Sequence, residues 1–182
     1  MSLARIRIAA RLLAVAAMAA LTAGCFQPMY AERADGTGLR DKLLGVELPP
    51  VDKPNASPEA RIGVEVRNAL AFKLYGNATG TAPTHKLVLT FSTSRSSLLV
   101  SPTTGLPTSE NFGVDAQYNL VELKTSKSVM TGTTFSRVTY DMPGSYQRFA
   151  RTRALRDAED RAAQEIADNI QTRLASFFFA GT

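Results

Sequence analysis

From Leu155 to Phe177 apolar residues recur at every third or fourth position without a break: Leu155, Ala158, Ala162, Ile166, Ile170, Leu174 and Phe177. That spacing is one face of an α-helix. It predicts a single helix from about Gln147 to Phe178, roughly 48 Å long. Arg156, Asp157, Asp160, Arg161 and Glu165 lie between the apolar positions as opposite-sign neighbours. Asp157, Glu159 and Asp160 read as a solvated acidic face. Their spacing places no carboxylate pair in a cleft. A stripe this long needs apolar cover along its whole length, more than a small sheet offers. The helix is therefore expected to pack on something besides its own sheet.

Upstream the period changes from 3.6 to 2. Phe112, Val114, Ala116, Tyr118 and Leu120 alternate with Gly113, Asp115, Gln117 and Asn119. One side is apolar and one polar, as in an antiparallel sheet covered on one face. Leu87, Leu89 and Phe91 alternate with Val88, Thr90 and Ser92, and Leu98–Val100 extends this strand past a Ser-rich bend. Residues 102–107 are a turn, and Val129–Tyr140 is a Thr-rich third strand of the meander.

Nearer the N-terminus, Leu43–Leu48 reads as a first strand stopped by Pro49 and Pro50. Ser57-Pro58-Glu59 is a helix start: a capping hydroxyl, a proline at the first helical position and an acid at the positive end of the dipole. Ile62, Val66, Ala69, Leu70 and Leu74 make its apolar face, and Gly76 closes it. The expected fold class is α+β. It is a two-layer sandwich of about four strands with two helices on one face, in the order β-α-β-β-β-α.

The chain of 182 residues has room for one domain and a tail. Its single Cys excludes an internal disulfide, and a single His excludes a His-rich zinc site. His85 opens a strand with no nucleophile implied nearby, and no Gly-Lys-Ser/Thr phosphate loop is present. The chemistry search returns no catalytic constellation, so an enzyme is not expected, nor a bound cofactor or metal. The Ser- and Thr-rich strands do carry basic residues. Arg95 is in phase with Leu87, Leu89 and Phe91, Arg137 is in phase with Phe135, and Lys124 and Lys127 flank a turn. These four are candidate contacts for a phosphorylated or acidic ligand, since guanidinium pairs bidentately with phosphate.

Arg5, Arg7 and Arg11 precede an apolar run, Leu12–Leu21, and small residues lead into Cys25. Residues 1–24 read as a secretory signal peptide, too short in its apolar part to span a bilayer. Leu21-Thr22-Ala23-Gly24-Cys25 resembles a bacterial lipobox, in which the cysteine becomes the first, lipidated residue. Removing the leader removes three arginines and leaves 18 basic against 16 acidic residues, a formal charge of +2. Nucleic-acid binding is not expected at that balance. Residues 25–40 read as a lipidated N-terminal tether and 41–182 as the folded domain.

Cys25 followed by Phe26-Gln27-Pro28-Met29-Tyr30, the β-α-β-β-β-α order, and the closing run Asp157-Ala158-Glu159-Asp160-Arg161-Ala162 with Ile166 through Arg173-Leu174 resemble the LptE (RlpB-like) family of lipopolysaccharide-assembly lipoproteins. Members commonly carry Gly after the cysteine, where this chain has Phe26. The resemblance implies an outer-membrane lipoprotein, anchored on the periplasmic side by the lipid on Cys25. It implies a plug that helps assemble an LptD-like β-barrel and contacts lipopolysaccharide on its way to the cell surface. The alternative is a free periplasmic envelope lipoprotein that binds a small ligand or acts as a scaffold.

Overall fold

The central strand of the sheet is the one whose alternation is cleanest. A computed structural model of the chain describes residues 38–52, 56–76, 81–142 and 147–180. The expected signal peptide, Cys25 and nearly all of the tether lie outside them. The meander is β2 (His85–Val100), β3 (Pro107–Glu122) and β4 (Lys127–Asp141), all antiparallel, with Leu87 opposite Leu120 and Val114 opposite Ser136. Phe112, Val114, Ala116, Tyr118 and Leu120 of β3 are all buried, as the pattern requires. The Ser-rich stretch of β2 does not break the strand. Register shifts between Ser97 and Leu99, and again before Val100, absorb it.

The N-terminal reading needs correction. Leu39–Leu44 is a short helix, α1, and only Val46–Glu47 is a strand, β1. Leu39 and Leu43 stand four apart and are both buried, and the Lys42 ammonium donates to the Phe178 carbonyl at 3.4 Å. Helical spacing and a cover for the far end of the last helix thus outweigh the strand reading. Leu39 and Arg40, expected in the tether, belong to this helix. β1 pairs parallel with His85 and Lys86, giving the sheet order β1-β2-β3-β4.

Helix α2 (Pro58–Tyr75) is capped as its sequence says. The Ala60 N–H donates to the Ser57 hydroxyl at 3.0 Å, and Gly76 ends the helix at φ 58°, its N–H bonded to the Phe72 carbonyl at 2.8 Å. Ile62, Val66, Leu70 and Leu74 are buried. The Tyr75 hydroxyl donates to the Val46 carbonyl and ties the helix end to β1.

Helix α3 (Arg148–Ala180) has 33 residues. Its predicted stripe is buried from Ala158 to Leu174, but Phe178 closes it in place of Phe177. A second row, Glu159, Ala163, Ala167 and Ala175, is also buried. Helix α2 packs against α3 and is the further partner that the helix length called for. The second row also corrects the reading of Glu159, which is 4% exposed and not on a solvated face. Arg61 pairs with Glu159 at 2.9 Å and Lys73 with Asp168 at 2.6 Å, so α2 and α3 run in the same direction. Arg161, Glu165 and Asn169 meet Thr139, Ser136 and Thr134 in turn, so α3 runs antiparallel to β4. Both long helices cover one face of the sheet and leave the other open.

Candidate functional site

The open face is built by the alternate residues of three strands. Thr90, Ser92 and Ser94 come from β2, Asp115, Gln117 and Asn119 from β3, and Thr131, Thr133, Phe135 and Arg137 from β4. Pairing stacks them in rows, such as Thr90–Gln117–Thr133 and Val88–Asn119–Thr131. Most are uncharged hydroxyls and amides. A shallow depression of about 440 Å³ results, floored by Val88, Thr90, Gln117, Asn119, Thr131 and Thr133. Such a surface offers many hydrogen-bond partners beside the exposed side chains of Val88 and Phe135.

Arg137 and Asp115 form a charged pair on this face, so Arg137 is already engaged. Its guanidinium donates to the Val114 and Ser136 carbonyls at 3.1 and 3.0 Å and to both Asp115 oxygens at 2.8 and 3.0 Å. It also sits 5.5 Å over the Phe135 ring. Gly113 makes room for it: a Cβ there would lie 3.0 Å from Arg137 Cδ.

Arg95 lies on the opposite, helix-covered face, beyond the last apolar cover. It lines a cleft of about 230 Å³ with Glu110, Tyr140, Met142, Arg151, Thr152 and Leu155. Tyr140 donates to Glu110 at 2.5 Å. Burial and the Glu110 carboxylate together push its phenol up to about 12. Lys124 and Lys127 flank the β3–β4 turn at the other end of the sheet. Arg95 pairs with Phe112, ten residues along β3 from Glu122, or ~33 Å away. The four basic candidates therefore form no single patch.

Arg151 is the residue that sequence reasoning missed, since it joins Arg95 only in three dimensions. A signal existed. The first turn of α3 contains no acidic residue, and Arg148, Arg151, Arg153 and Arg156 crowd the end where the dipole is positive. His85 sits edge-on to Phe178 at 5.2 Å, and burial holds its pKa below the usual value against the opposing pull of Glu122. Among the described residues no three His, Cys, Asp or Glu side chains gather as a metal site, and no helix is long and apolar enough to cross a membrane.

A family model of lipopolysaccharide-assembly proteins, LptE, matches residues 44–174. A search of curated protein sequences finds no match. Among solved structures, a protein described as a lipoprotein from Caulobacter crescentus CB15 is 24% identical, with a TM-score of 0.60 over 79% of this chain and 97% of that one. Rare lipoprotein B from Shewanella oneidensis is 20% identical, with a TM-score of 0.51 over 72% of this chain and 93% of that one. At these identities the two structures support the fold.

Proposed function

Because the chain belongs to the LptE family of lipopolysaccharide-assembly proteins, we propose that it is an outer-membrane lipoprotein that plugs and helps assemble an LptD-like β-barrel. In that role it assists lipopolysaccharide transport to the cell surface. The observation that carries this reading is the open sheet face. Thr90, Gln117, Asn119, Thr131 and Thr133 form a broad, mostly uncharged polar surface. The lumen of a large outer-membrane barrel is polar, and a plug must satisfy hydrogen bonds there. The protein does no covalent chemistry in this reading.

Lipid on Cys25 would hold the domain at the periplasmic side of the outer membrane, since two or more acyl chains anchor stably. Cys25→Ala should lose the lipid label and release the protein to the periplasm. Arg95, Lys124, Lys127 and Arg137 are the proposed contacts for lipopolysaccharide phosphates. Arg95 stands beside Arg151 and presents two guanidinium groups at one cleft. Arg137 would have to leave Asp115 to act.

Affinity purification of the full chain from detergent-solubilised outer membranes tests the plug. One large β-barrel should co-purify in equal amount, and depletion of the protein should lower both barrel level and surface lipopolysaccharide. Recovery without a barrel, with surface lipopolysaccharide unchanged on depletion, would remove the reading. Arg95→Glu should weaken lipopolysaccharide binding at low salt, where charge pairing is least screened. Unchanged binding would take Arg95 off the contact surface.

A further inference from the structure

The far end of the β2–β3 hairpin is uncovered on both faces: from Ser94 to Val100 every residue of β2 is exposed. Leu98, Leu99 and Val100 follow one another there, and Leu106 closes the turn beside them, all four about half exposed or more. The register shifts on either side of Leu99 break the strand's alternation at this point. Residues 96–109 carry no charge. Large aliphatic side chains gathered at one uncharged tip are unfavourable in water unless something apolar covers them.

The polar groups of the turn bond largely to one another. The Ser101 N–H donates to the Leu106 carbonyl and the Gly105 N–H to the Ser101 carbonyl, both at 2.9 Å. The Ser101 and Thr103 hydroxyls share a bond at 2.9 Å. The Leu106 N–H donates to the Thr104 hydroxyl, and the Thr108 hydroxyl to the Leu99 carbonyl, each at 3.4 Å. Pro102 and Pro107 have no N–H to satisfy. A turn closed on itself in this way loses little on leaving water. It also offers a protein partner few groups to recognise.

Arginines stand behind the tip. Thr108 bonds Leu99 on one side and, through its carbonyl, the Met142 N–H on the other at 2.8 Å. The Met142 sulfur in turn accepts from Arg151 at 3.8 Å, and Arg95 lines the same cleft. In the first turn of α3 Arg148 and Phe149 are exposed, Phe149 to 94%. Residues 142–156 hold four arginines and no acid. Of the acids on the neighbouring strand ends, Glu110 is bonded to Tyr140 and Asp141 is exposed.

We propose that this hairpin tip inserts into the surface of a bilayer that carries anionic phospholipid, with Arg95, Arg148 and Arg151 at the phosphates. Leu98 lies three residues beyond Arg95, ~10 Å along the hairpin. With the guanidinium level with the phosphates, the aliphatic tip reaches the boundary of headgroups and acyl chains. Charge favours this occupant over a second copy, since two tips meeting would bring the arginines of both together. The surface lies apart from the open sheet face, and its test needs neither the barrel nor the lipid on Cys25.

The test uses the mature chain carrying Cys25→Ala, so that no acyl chain of its own does the binding. The sequence contains no Trp, so Leu99→Trp adds a single indole. On vesicles of phosphatidylglycerol and phosphatidylethanolamine its emission should shift to the blue and be quenched by brominated acyl chains. The indole of Phe135→Trp, on the open face, should do neither. In co-sedimentation with the same vesicles Leu99→Ser should weaken binding about tenfold. Arg148→Gln and Arg151→Gln should each weaken it about fivefold. An unshifted emission of Leu99→Trp on the anionic vesicles overturns the proposal, as does equal quenching at both positions. So does equal binding to vesicles of phosphatidylcholine alone. A blue shift that needs an outer-membrane barrel and no lipid would make the tip a protein contact and overturn it as well.

Discussion

Glu159 on α3 holds its carboxylate 2.9 Å from the Arg61 guanidinium of α2, with 5% of its side chain exposed. The approach is off the N–H direction, and neither Arg61 Nε nor Glu159 Oε2 has a hydrogen-bond partner among the described residues. A buried ion pair without aligned hydrogen bonds does not repay its desolvation. Burial accordingly raises the Glu159 pKa above its ordinary 4.5, although Arg61 and Arg95 pull it down.

The pH consequence has a definite sign. The folded carboxyl takes up a proton more readily than the unfolded one, so this group lowers stability as pH rises above 4.5. Glu159→Gln keeps the shape and removes the titration. The melting temperature of the variant minus that of the parent should grow from about pH 4 to about pH 8. A difference that shrinks with pH would mean that attraction to Arg61 outweighs burial.

Tyr140 makes an alkaline prediction. Its phenol is raised from 10.0 to about 12, so the unfolded chain ionises first and stability is lost between those values. Burial raises Tyr75 as well. Absorbance titration should show late-ionising phenols, and Tyr140→Phe should remove one that ionises near pH 12. If the late titration is unchanged in the variant, the bond to Glu110 is not formed in solution.

Which parts of the fold were legible follows from what each signal depends on. The α2 caps and the β3 alternation are local, so Ser57, Gly76 and Val114 announce their roles to any reader of the sequence. Leu39 and Leu43 give only two apolar positions, and Leu43–Leu48 fits a strand as well as a helix end. The choice is made by the end of α3, which α1 covers. Glu159 looked solvated because its neighbours Asp157 and Asp160 are. Its burial depends on α2, far away in the chain. Arg95 was visible as a basic residue in phase with apolar ones, but its neighbour Arg151 arrives only when α3 folds back over the sheet. Lys124 and Arg95 looked like members of one patch until the length of β3 separated them.

Ile170 tests the core. It is fully buried midway along the α3 stripe. Ile→Ala at such a site costs about 2–5 kcal/mol, a large share of the ~5–15 kcal/mol of a typical domain. The exposed Gln164→Ala on the same helix should change stability by less than about 0.5 kcal/mol. Urea unfolding of both variants compares them. Equal small effects would show that the stripe is not core.

Gly113 and Arg137 should be coupled. A Cβ at Gly113 would stand 2.5 Å from Ser94 Oγ, 3.0 Å from Arg137 Cδ and 3.1 Å from its Nε. Ser94 can rotate away. Arg137 cannot do so without giving up Asp115 and the Val114 carbonyl. Its side chain is 40% exposed, so the ion pair itself is worth at most about 1 kcal/mol. Gly113→Ala in the parent should therefore destabilise by about 1 kcal/mol. With Arg137→Ala already in place the obstacle is gone. The same change should then be neutral or stabilising by about 0.5 kcal/mol, because alanine loses less backbone entropy in a strand than glycine does. Urea unfolding of the parent, the two single variants and the double gives the interaction energy directly. Equal effects of Gly113→Ala in both backgrounds would mean that Arg137 does not cross Gly113 in solution. It would then be free to take a phosphate without first breaking from Asp115.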